Sequence, residues 1–329
     1  MPKEAKDPMS ILPQIACFLL KEHRYRPIEG DVLLIGRQTV MLTERDAVRM
    51  LERESVPLRK DYSSEIDEAT ATNRKPGFIT DRAFFSMFSN AKIMALDVSA
   101  YEGAEIVHDL NAPLPDRYRG VADFILNGSC MDNLFDPASA IKSMSKMLRP
   151  GGRVFHFEHG TPVNNAMLCY SPEWFFGFYA INDYADCQIF VCSFGNYILR
   201  PWRIFLWRPY NGTNYCLNNM DIGDFLNVVV AEKGDHSSDD KTPIQSHYRA
   251  MHDNTEEKNY IDKHIEFTES HRRFYFSRSI RPWHYFTSSI LKTPLKIFLR
   301  HLGITIRRGP NGRYLVERRS NALGFLDNQ

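Results

Sequence analysis

The hydrophobic pattern between Lys92 and Glu158 is typical of a buried parallel sheet. Four short apolar runs in it are continuous rather than alternating: Ile93–Leu96, Ala104–Val107, Ala122–Leu126 and Val154–Phe157. Strands that are covered by helices on both faces have this pattern, because neither face meets water. Apolar residues at helical spacing over Pro137–Leu148 predict a helix between the last two runs, and hence a strand–helix–strand unit.

Local signals define the ends of several further elements. Asp136 suits a helix N-cap, and Arg149-Pro150-Gly151-Gly152 predicts the end of that helix and a turn into the next strand. Upstream, Val32–Ile35 predicts the first strand, ending at Gly36. The remaining helices and strands are predicted at Ile11–Lys21, Thr43–Leu51, Thr80–Phe88, a helix beginning at Ser171-Pro172, Ala185–Phe194 and Pro201–Arg208, with Phe225–Ala231 as an alternative last strand. The polar residues 58–77 predict an insertion, and ITIRRGPNGRYLVERR predicts a hairpin about Gly309–Gly312.

Polar residues follow the predicted strands at their carboxyl ends. Asp97 follows the second strand, Asp109 the third, Asn127-Gly128-Ser129 the fourth and His159 the fifth. In open α/β sheets, ligands bind at this edge. The sequence therefore predicts the functional site there.

Four motifs in this order resemble those of class I S-adenosylmethionine (SAM)-dependent methyltransferases of the type 11-like group: ALDVS, HDLNAPLP, ADFILNGSCMDNLFDP and KMLRPGGRVFHF. The last is similar to the LKPGG turn of that family and is the most specific of the four. The resemblance implies an α/β fold with a doubly wound, seven-stranded, mostly parallel sheet over residues 10–209. It implies SAM as cofactor and methyl transfer to a small-molecule, sugar or lipid-linked acceptor.

The loop after the first strand departs from the family pattern. It reads VLLIGRQTV, in which only Gly36 stands where a glycine is expected, while Gln38 and Val40 replace others. Gln38 or Thr39 can supply hydrogen bonds to the cofactor instead. The alternative is that the loop no longer holds SAM, and that the chain is a catalytically inactive binding or regulatory protein.

The resemblance also implies particular residues. Asp97 takes the place of the acid that binds the ribose, and Asp109 faces the adenine amino group, although either can be a loop residue or part of an Asx turn. The implied cofactor contacts are Gly36, Gln38, Asp97, Val98, Asp109, Leu110, Asn127 and Gly128. A histidine with a carboxylate can serve as a general base, which makes His156, Glu158, His159 and Asp132 the catalytic candidates. They can equally be polar residues at strand ends, and no metal is expected because no recognised ligand spacing is present.

Charge is distributed unevenly along the chain. The net charge is +1, but residues 271–319 hold twelve Lys and Arg against one acid, Glu317, so that they carry +11 and the rest −10. This basic, aromatic C-terminal region, residues 259–329, follows a polar linker at 210–258. It suits an anionic partner such as nucleic acid, a membrane surface through an amphipathic helix at 291–302, or docking on the acidic domain. A nucleic-acid methyltransferase is thus a further alternative, although NGSC stands where amino-methylating enzymes carry an Asn/Asp-Pro-Pro-Tyr/Phe motif.

Cysteine usage and hydropathy indicate the compartment. The six cysteines form no CxxC pair, which favours free thiols in a reducing setting. The N-terminus MPKEAKDP has no apolar segment of a signal peptide, and no apolar run is long enough to span a bilayer. We expect a cytoplasmic protein, with peripheral membrane association open for residues 271–319.

Overall fold

A computed structural model describes residues 10–68, 77–162, 166–194, 202–207 and 224–244, and the backbone of 304–308 and 314–318. The helices are α1 (Pro13–Tyr25), α2 (Glu44–Glu54), α3 (Asp81–Ser86), α4 (Pro137–Met147) and α5 (Pro172–Ile181). The strands are β1 (Ser10–Ile11), β2 (Asp31–Ile35), β3 (Thr39–Val40), β4 (Lys92–Asp97), β5 (Ile106–Val107), β6 (Ala122–Gly128), β7 (Leu148–His159), β8 (Asp186–Ser193), β9 (Arg203–Trp207), β10 (Phe225–Glu232), β11 (Ile304–Arg308) and β12 (Tyr314–Arg318).

Local capping explains where three helices begin. The side chain of Thr43 accepts from the Asp46 amide at α2, that of Thr80 from Ala83 at α3, and that of Asp136 from Ser139 at α4. A side-chain oxygen at the N-cap satisfies an amide that has no partner within the helix. The predicted starts of these helices are confirmed.

In the part of the chain that the structure describes, the central sheet has eight strands in the order β5-β4-β2-β6-β7-β10-β8-β9. Strands β5, β4, β2, β6 and β7 pair in parallel, whereas β10 runs antiparallel to both of its neighbours and β9 antiparallel to β8. The strand order reverses at β2, since β4 and β5 extend to one side and β6 and β7 to the other. Such a reversal opens a crevice at the carboxyl ends of the strands.

The sheet has one strand more than the seven expected. The sequence left a choice between Pro201–Arg208 and Phe225–Ala231 for the last strand, and both segments are strands. β9 adds to the outer edge of β8, and β10 lies between β7 and β8. The sheet thus extends beyond residue 209 into the segment assigned to a linker, because the apolar run of β10 is buried between two neighbouring strands.

Helices cover both faces of the sheet. On one face, Phe18 of α1 packs on Phe190 of β8, with ring centroids 5.6 Å apart. On the other face, Phe175 of α5 packs on His156 of β7, with centroids 5.2 Å apart. Residues of α4 join α5 in the large buried cluster on that second face. The doubly wound α/β prediction is confirmed.

The RPGG motif lies inside β7 rather than in a turn before it. β7 begins at Leu148, and the register with β6 shifts between the pairs Ala122–Leu148 and Phe124–Arg153, so that the motif forms a bulge. Gly151 has φ of +76° and donates to the Lys233 carbonyl at 2.7 Å, while Lys233 in turn donates to the Gly152 carbonyl. The bulge therefore ties the start of β7 to the end of β10.

Other predicted segments have mixed outcomes. Within the predicted insertion at 58–77, Tyr62 and Ser64 hydrogen-bond to Glu44 at the start of α2, both at 2.6 Å. A separate unit, residues 283–329, contains the predicted hairpin as β11 and β12. The amphipathic helix predicted at 291–302 lies outside the described residues. Within the part of the chain that the structure describes, no helix has the length and apolar character needed to cross a membrane.

Candidate functional site

The carboxyl edge of the parallel strands brings together most of the polar residues that the sequence placed there. Gly36 follows β2, Asp97 ends β4, Ser129 follows β6, and His159 ends β7. Asp132 comes from a short 3-10 helix, Met131–Asn133, directly after β6. Because neighbouring parallel strands end at the same edge, residues distant in sequence line one crevice.

Gly36 and Asp97 lie side by side at the point where the strand order reverses. Gly36 has φ of +73°, and its amide donates to the Leu96 carbonyl at 2.7 Å. Among the described residues, a Cβ added to Gly36 would meet only one atom within 4 Å, the Asp97 Oδ2 at 3.9 Å. Asp97 Oδ1 accepts from the Ser99 amide at 3.1 Å, and Oδ2 has no hydrogen-bond partner among the described residues. The backbone thus passes open space beside an available carboxylate oxygen.

Gln38 does not face that open space. Its side chain is fully buried, and its amide nitrogen lies 3.3 Å from the carbonyls of Ile35 and Gly36, to which it donates. A cofactor contact through this side chain, as the sequence suggested, is not present in this geometry. Gln38 instead hydrogen-bonds to backbone carbonyls of its own loop.

An ion pair that the sequence analysis missed holds this loop in place. Arg37 contacts both carboxylate oxygens of Asp81, with Nε–Oδ2 at 2.9 Å and Nη2–Oδ1 at 2.6 Å, and the Gln38 amide donates to Oδ2 at 3.0 Å. Burial raises the pKa of Asp81, and the Arg37 charge opposes that rise. The polar ends of β2 and α3 are therefore tied together directly under the proposed cofactor loop.

The next implied cofactor residues divide between surface and core. Val98 is 68% exposed beside Asp97, whereas Leu110 is buried. The Asp109 carboxylate accepts from the amide and the side chain of Asn111, both at 2.9 Å, and these hydrogen bonds lower its pKa. Asp109 therefore forms the Asx turn that the sequence left open as the alternative.

Asp132 and His159 form a hydrogen-bonded pair at the edge. Asp132 is buried, and its Oδ2 lies 2.7 Å from His159 Nδ1 and 2.6 Å from the Ser129 hydroxyl, which donates to it. His159 retains 17% of its side-chain exposure. Its Nε2 has no partner within the described part of the chain. We call these two residues the Asp132–His159 dyad.

His156 and Glu158 lie beneath the dyad in a buried polar network with Asn127. Asn127 Nδ2 is 3.0 Å from His156 Nδ1 and 2.6 Å from Glu158 Oε1, and Tyr179 closes the far end at 2.6 Å from His156 Nε2. Burial lowers the pKa of His156 to about 3 and raises that of Glu158 well above its usual range. All three side chains in the row Asn127, His156 and Glu158 are fully buried, which leaves them no face for a substrate.

The packing of a neighbouring side chain, and not a bound ligand, explains why position 128 is a glycine. A Cβ at this position would lie 1.9 Å from Cε1 of Phe157 on the neighbouring strand. Only glycine therefore leaves room for the ring. The close approach that the sequence assigned to a cofactor is made here by an aromatic side chain.

Among the described residues, the acidic, histidine and cysteine side chains form no cluster that could hold a metal ion. No group of three or more His, Cys, Asp or Glu side chains in this part of the chain has metal-binding geometry. His156 and Glu158 are instead joined through the Asn127 amide. The edge thus has two polar features, the Gly36–Asp97 corner and the Asp132–His159 dyad.

Comparisons with known proteins give matches only among solved structures. No protein-family model matches the chain, and no curated protein matches it. Similar structures include the citrinin polyketide synthase CMeT domain, at 12% identity and a TM-score of 0.35, with 68% of this chain and 52% of that one covered. A second is the Burkholderia thailandensis 1,6-didemethyltoxoflavin-N1-methyltransferase with bound S-adenosylhomocysteine, at 12% identity and a TM-score of 0.27, covering 68% and 80%.

A third is the Haemonchus contortus phosphoethanolamine N-methyltransferase 2, also with S-adenosylhomocysteine, at 10% identity and a TM-score of 0.34, covering 66% and 52%. The chain thus spans about half the length of the first and third of these proteins. At identities and TM-scores this low, the likenesses carry no argument of their own, and the fold assignment rests on the strand order. With β10 reversed between β7 and β8 in an otherwise parallel core, the chain has the Rossmann-like fold of class I SAM-dependent methyltransferases.

Proposed function

We propose that this chain is a SAM-dependent methyltransferase that acts on a small-molecule acceptor, with sugars and lipid-linked molecules included in that class. The observation that carries the proposal is the Gly36–Asp97 corner. It combines a backbone turn that faces open space with a carboxylate oxygen that has no partner among the described residues. The Asp132–His159 dyad lies on the same edge of the sheet.

The corner fits the ribose end of SAM. Ribose hydroxyls are donors, and a carboxylate with a free oxygen accepts from them. Gly36 allows close approach of the backbone, because a side chain there would be strained at its positive φ as well as intruding on the space beside Asp97. Val98, which is exposed next to Asp97, offers an apolar surface for the adenine ring. When bound, SAM supplies an activated methyl group, so the protein mainly has to position the reactants.

The dyad can take up a proton from the substrate that receives the methyl group. Asp132 can only accept from the imidazole, so the Nδ1 hydrogen points to its carboxylate and Nε2 carries the free lone pair. A carboxylate that fixes the tautomer in this way prepares the histidine as a general base. His159 is therefore the base that we assign, with Asp132 as the residue that orients it.

A second candidate is a methyltransferase-like binding or regulatory protein. The observation that favours it is the loop after β2, in which Gln38 is buried and Arg37 is committed to Asp81. Few polar side chains of this loop therefore remain to hydrogen-bond to a cofactor. The nucleic-acid methyltransferase that uses residues 271–319 has no comparable observation, since most of that segment lies outside the described residues.

Calorimetric titration with SAM and with S-adenosylhomocysteine tests the proposal. We expect micromolar binding by the wild type and, for Asp97→Asn, affinity lower by about 10- to 150-fold, since a hydrogen bond to a charged group contributes about 1.5–3 kcal/mol. Asp116→Asn is the matched control, because this exposed aspartate makes a surface ion pair with Arg119. A folded wild type that does not bind either ligand at millimolar concentration would favour the second candidate.

A further inference from the structure

The Glu158 carboxyl group is attached to the backbone that carries the dyad. Its side chain is fully buried on β7, and Oε1 accepts from the Met131 amide at 3.0 Å and from Asn127 Nδ2 at 2.6 Å. Met131 opens the 3-10 helix whose second residue is Asp132. One carboxyl oxygen thus restrains the amide of Met131, the residue directly before the one that orients His159.

The same turn is held from its other side by residues that follow β7. The Tyr170 hydroxyl donates to the Met131 carbonyl at 2.7 Å, and the amides of Met167 and Leu168 donate to the Asp132 carbonyl at 2.7 and 3.1 Å. These contacts hold the carbonyl side of the turn. Among the described residues, only Glu158 holds the Met131 amide.

The surroundings of Glu158 favour its neutral form. Burial is the main cause of its raised pKa, and the nearby Asp132 charge adds to the effect, while the hydrogen bonds from Asn127 and from the backbone of Met131 and Asp132 oppose the rise without cancelling it. The other titratable groups that face it are Cys130 and Tyr170, neither of which supplies a positive charge. Oε2 has no hydrogen-bond partner within the described residues, and an ionised oxygen buried in this way would be costly.

We propose that Glu158 is a positioning residue, which holds the Met131 amide as an uncharged acceptor and so aligns Asp132 with His159. This inference rests on the proposed function for its choice of His159 as base. It replaces the direct catalytic role that the sequence suggested for Glu158. The proposed role of Glu158 concerns the geometry of the dyad, which is present whether or not a cofactor binds.

Proton NMR of the full chain tests the inference through the His159 Nδ1–H signal. A hydrogen bond to a carboxylate moves this proton far downfield and protects it from exchange, and its absence from His159→Gln identifies it. We expect Glu158→Gln to retain the signal, since the amide oxygen accepts from the same two donors without charge. Glu158→Met, which is similar in size and accepts nothing, should broaden or lose the signal. Glu158→Asp, whose carboxyl is withdrawn by one methylene, should do the same and replaces the methionine variant if that does not fold.

Tyr179→Phe is the matched control, because it removes a hydroxyl from the opposite end of the same buried network. It should leave the signal unchanged. Loss of the signal in Glu158→Gln would overturn the uncharged role, and retention in Glu158→Met or Glu158→Asp would overturn the positioning role. Because no SAM is present, these outcomes are independent of the calorimetric test of the proposed function.

Discussion

Replacement of Arg37 by methionine tests how the loop that contains the Gly36–Asp97 corner is held in place. The Asp81 side chain is completely buried and Arg37 is 11% exposed, so the substitution leaves an uncompensated carboxylate in the interior. Removal of one partner from a buried ion pair costs about 3–5 kcal/mol. Asp81 keeps hydrogen bonds from the amides of Gln38 and Arg82, which places the expected loss of unfolding free energy near the lower limit, about 3 kcal/mol.

The assay is urea unfolding, with Arg59→Met as the control. Arg59 Nη2 donates to both carboxylate oxygens of Asp61, which is 73% exposed, so its loss should cost less than about 1 kcal/mol. The double variant Arg37→Met/Asp81→Leu should be less destabilised than Arg37→Met alone, because no buried charge remains. Equal small losses for Arg37→Met and Arg59→Met would contradict the cost of a buried, uncompensated Asp81 carboxylate.

The same variant has a defined pH dependence. Burial raises the pKa of Asp81 in the folded protein, and removal of Arg37 takes away the main opposing charge. An acid whose pKa is raised on folding destabilises the folded state as pH rises and it ionises. The penalty of Arg37→Met should therefore shrink as pH falls through the raised pKa of Asp81, because the carboxyl takes up its proton in the folded protein. A penalty that grows on acidification would contradict this sign.

Three further predictions concern single positions at the edge. His159→Gln should lower the rate of methyl transfer by about 10²- to 10⁴-fold with SAM affinity within about twofold, and an unchanged rate would remove His159 as the base. Gly128→Ala should lower the unfolding free energy by about 1–3 kcal/mol, and Phe157→Leu should restore part of it, because the added Cβ meets the ring. Gly36→Ala should cost about 1–2 kcal/mol from its positive φ, measured by the same urea unfolding, and no cost would contradict the described loop.

The elements predicted most reliably from the sequence were those defined by local chemistry. The caps at Thr43, Thr80 and Asp136 depend on residues three positions away, and the predicted helix starts hold. The continuous apolar runs of β6 and β7 also predict buried strands correctly, because burial on both faces depends on each strand's own composition.

The order of strands along the sheet was less accessible. The sequence of the β10 segment does not indicate that it lies between β7 and β8. That position depends on pairing with residues about seventy positions away in β7 and about forty positions away in β8. The pattern therefore indicated a strand without its place. The same limit applies to the Arg37–Asp81 pair, whose members lie 44 residues apart.

The position of the candidate residues along the sheet edge was easier to predict than the surroundings of their side chains. Parallel strands end at one edge of the sheet, so Asp97, Asp132 and His159 lie at the edge where the sequence placed them. Whether a side chain there faces solvent or the core depends on its neighbours, and this separates His159 from His156 only three positions away. Asn127 lies between His156 and Glu158 because β6 and β7 pair in register, a contact that the sequence does not display.

The central claim is that the Gly36–Asp97 corner binds SAM. The most direct measurement is a titration with S-adenosylhomocysteine of protein labelled with nitrogen-15 at its eighteen glycines, followed by amide NMR. The Gly36 signal is identified by its absence from Gly36→Ala, and Gly234, which lies after β10, serves as an internal reference. We expect a saturable shift of the Gly36 signal with the Gly234 signal unchanged. No shift of Gly36 at millimolar ligand in the folded protein would contradict the claim.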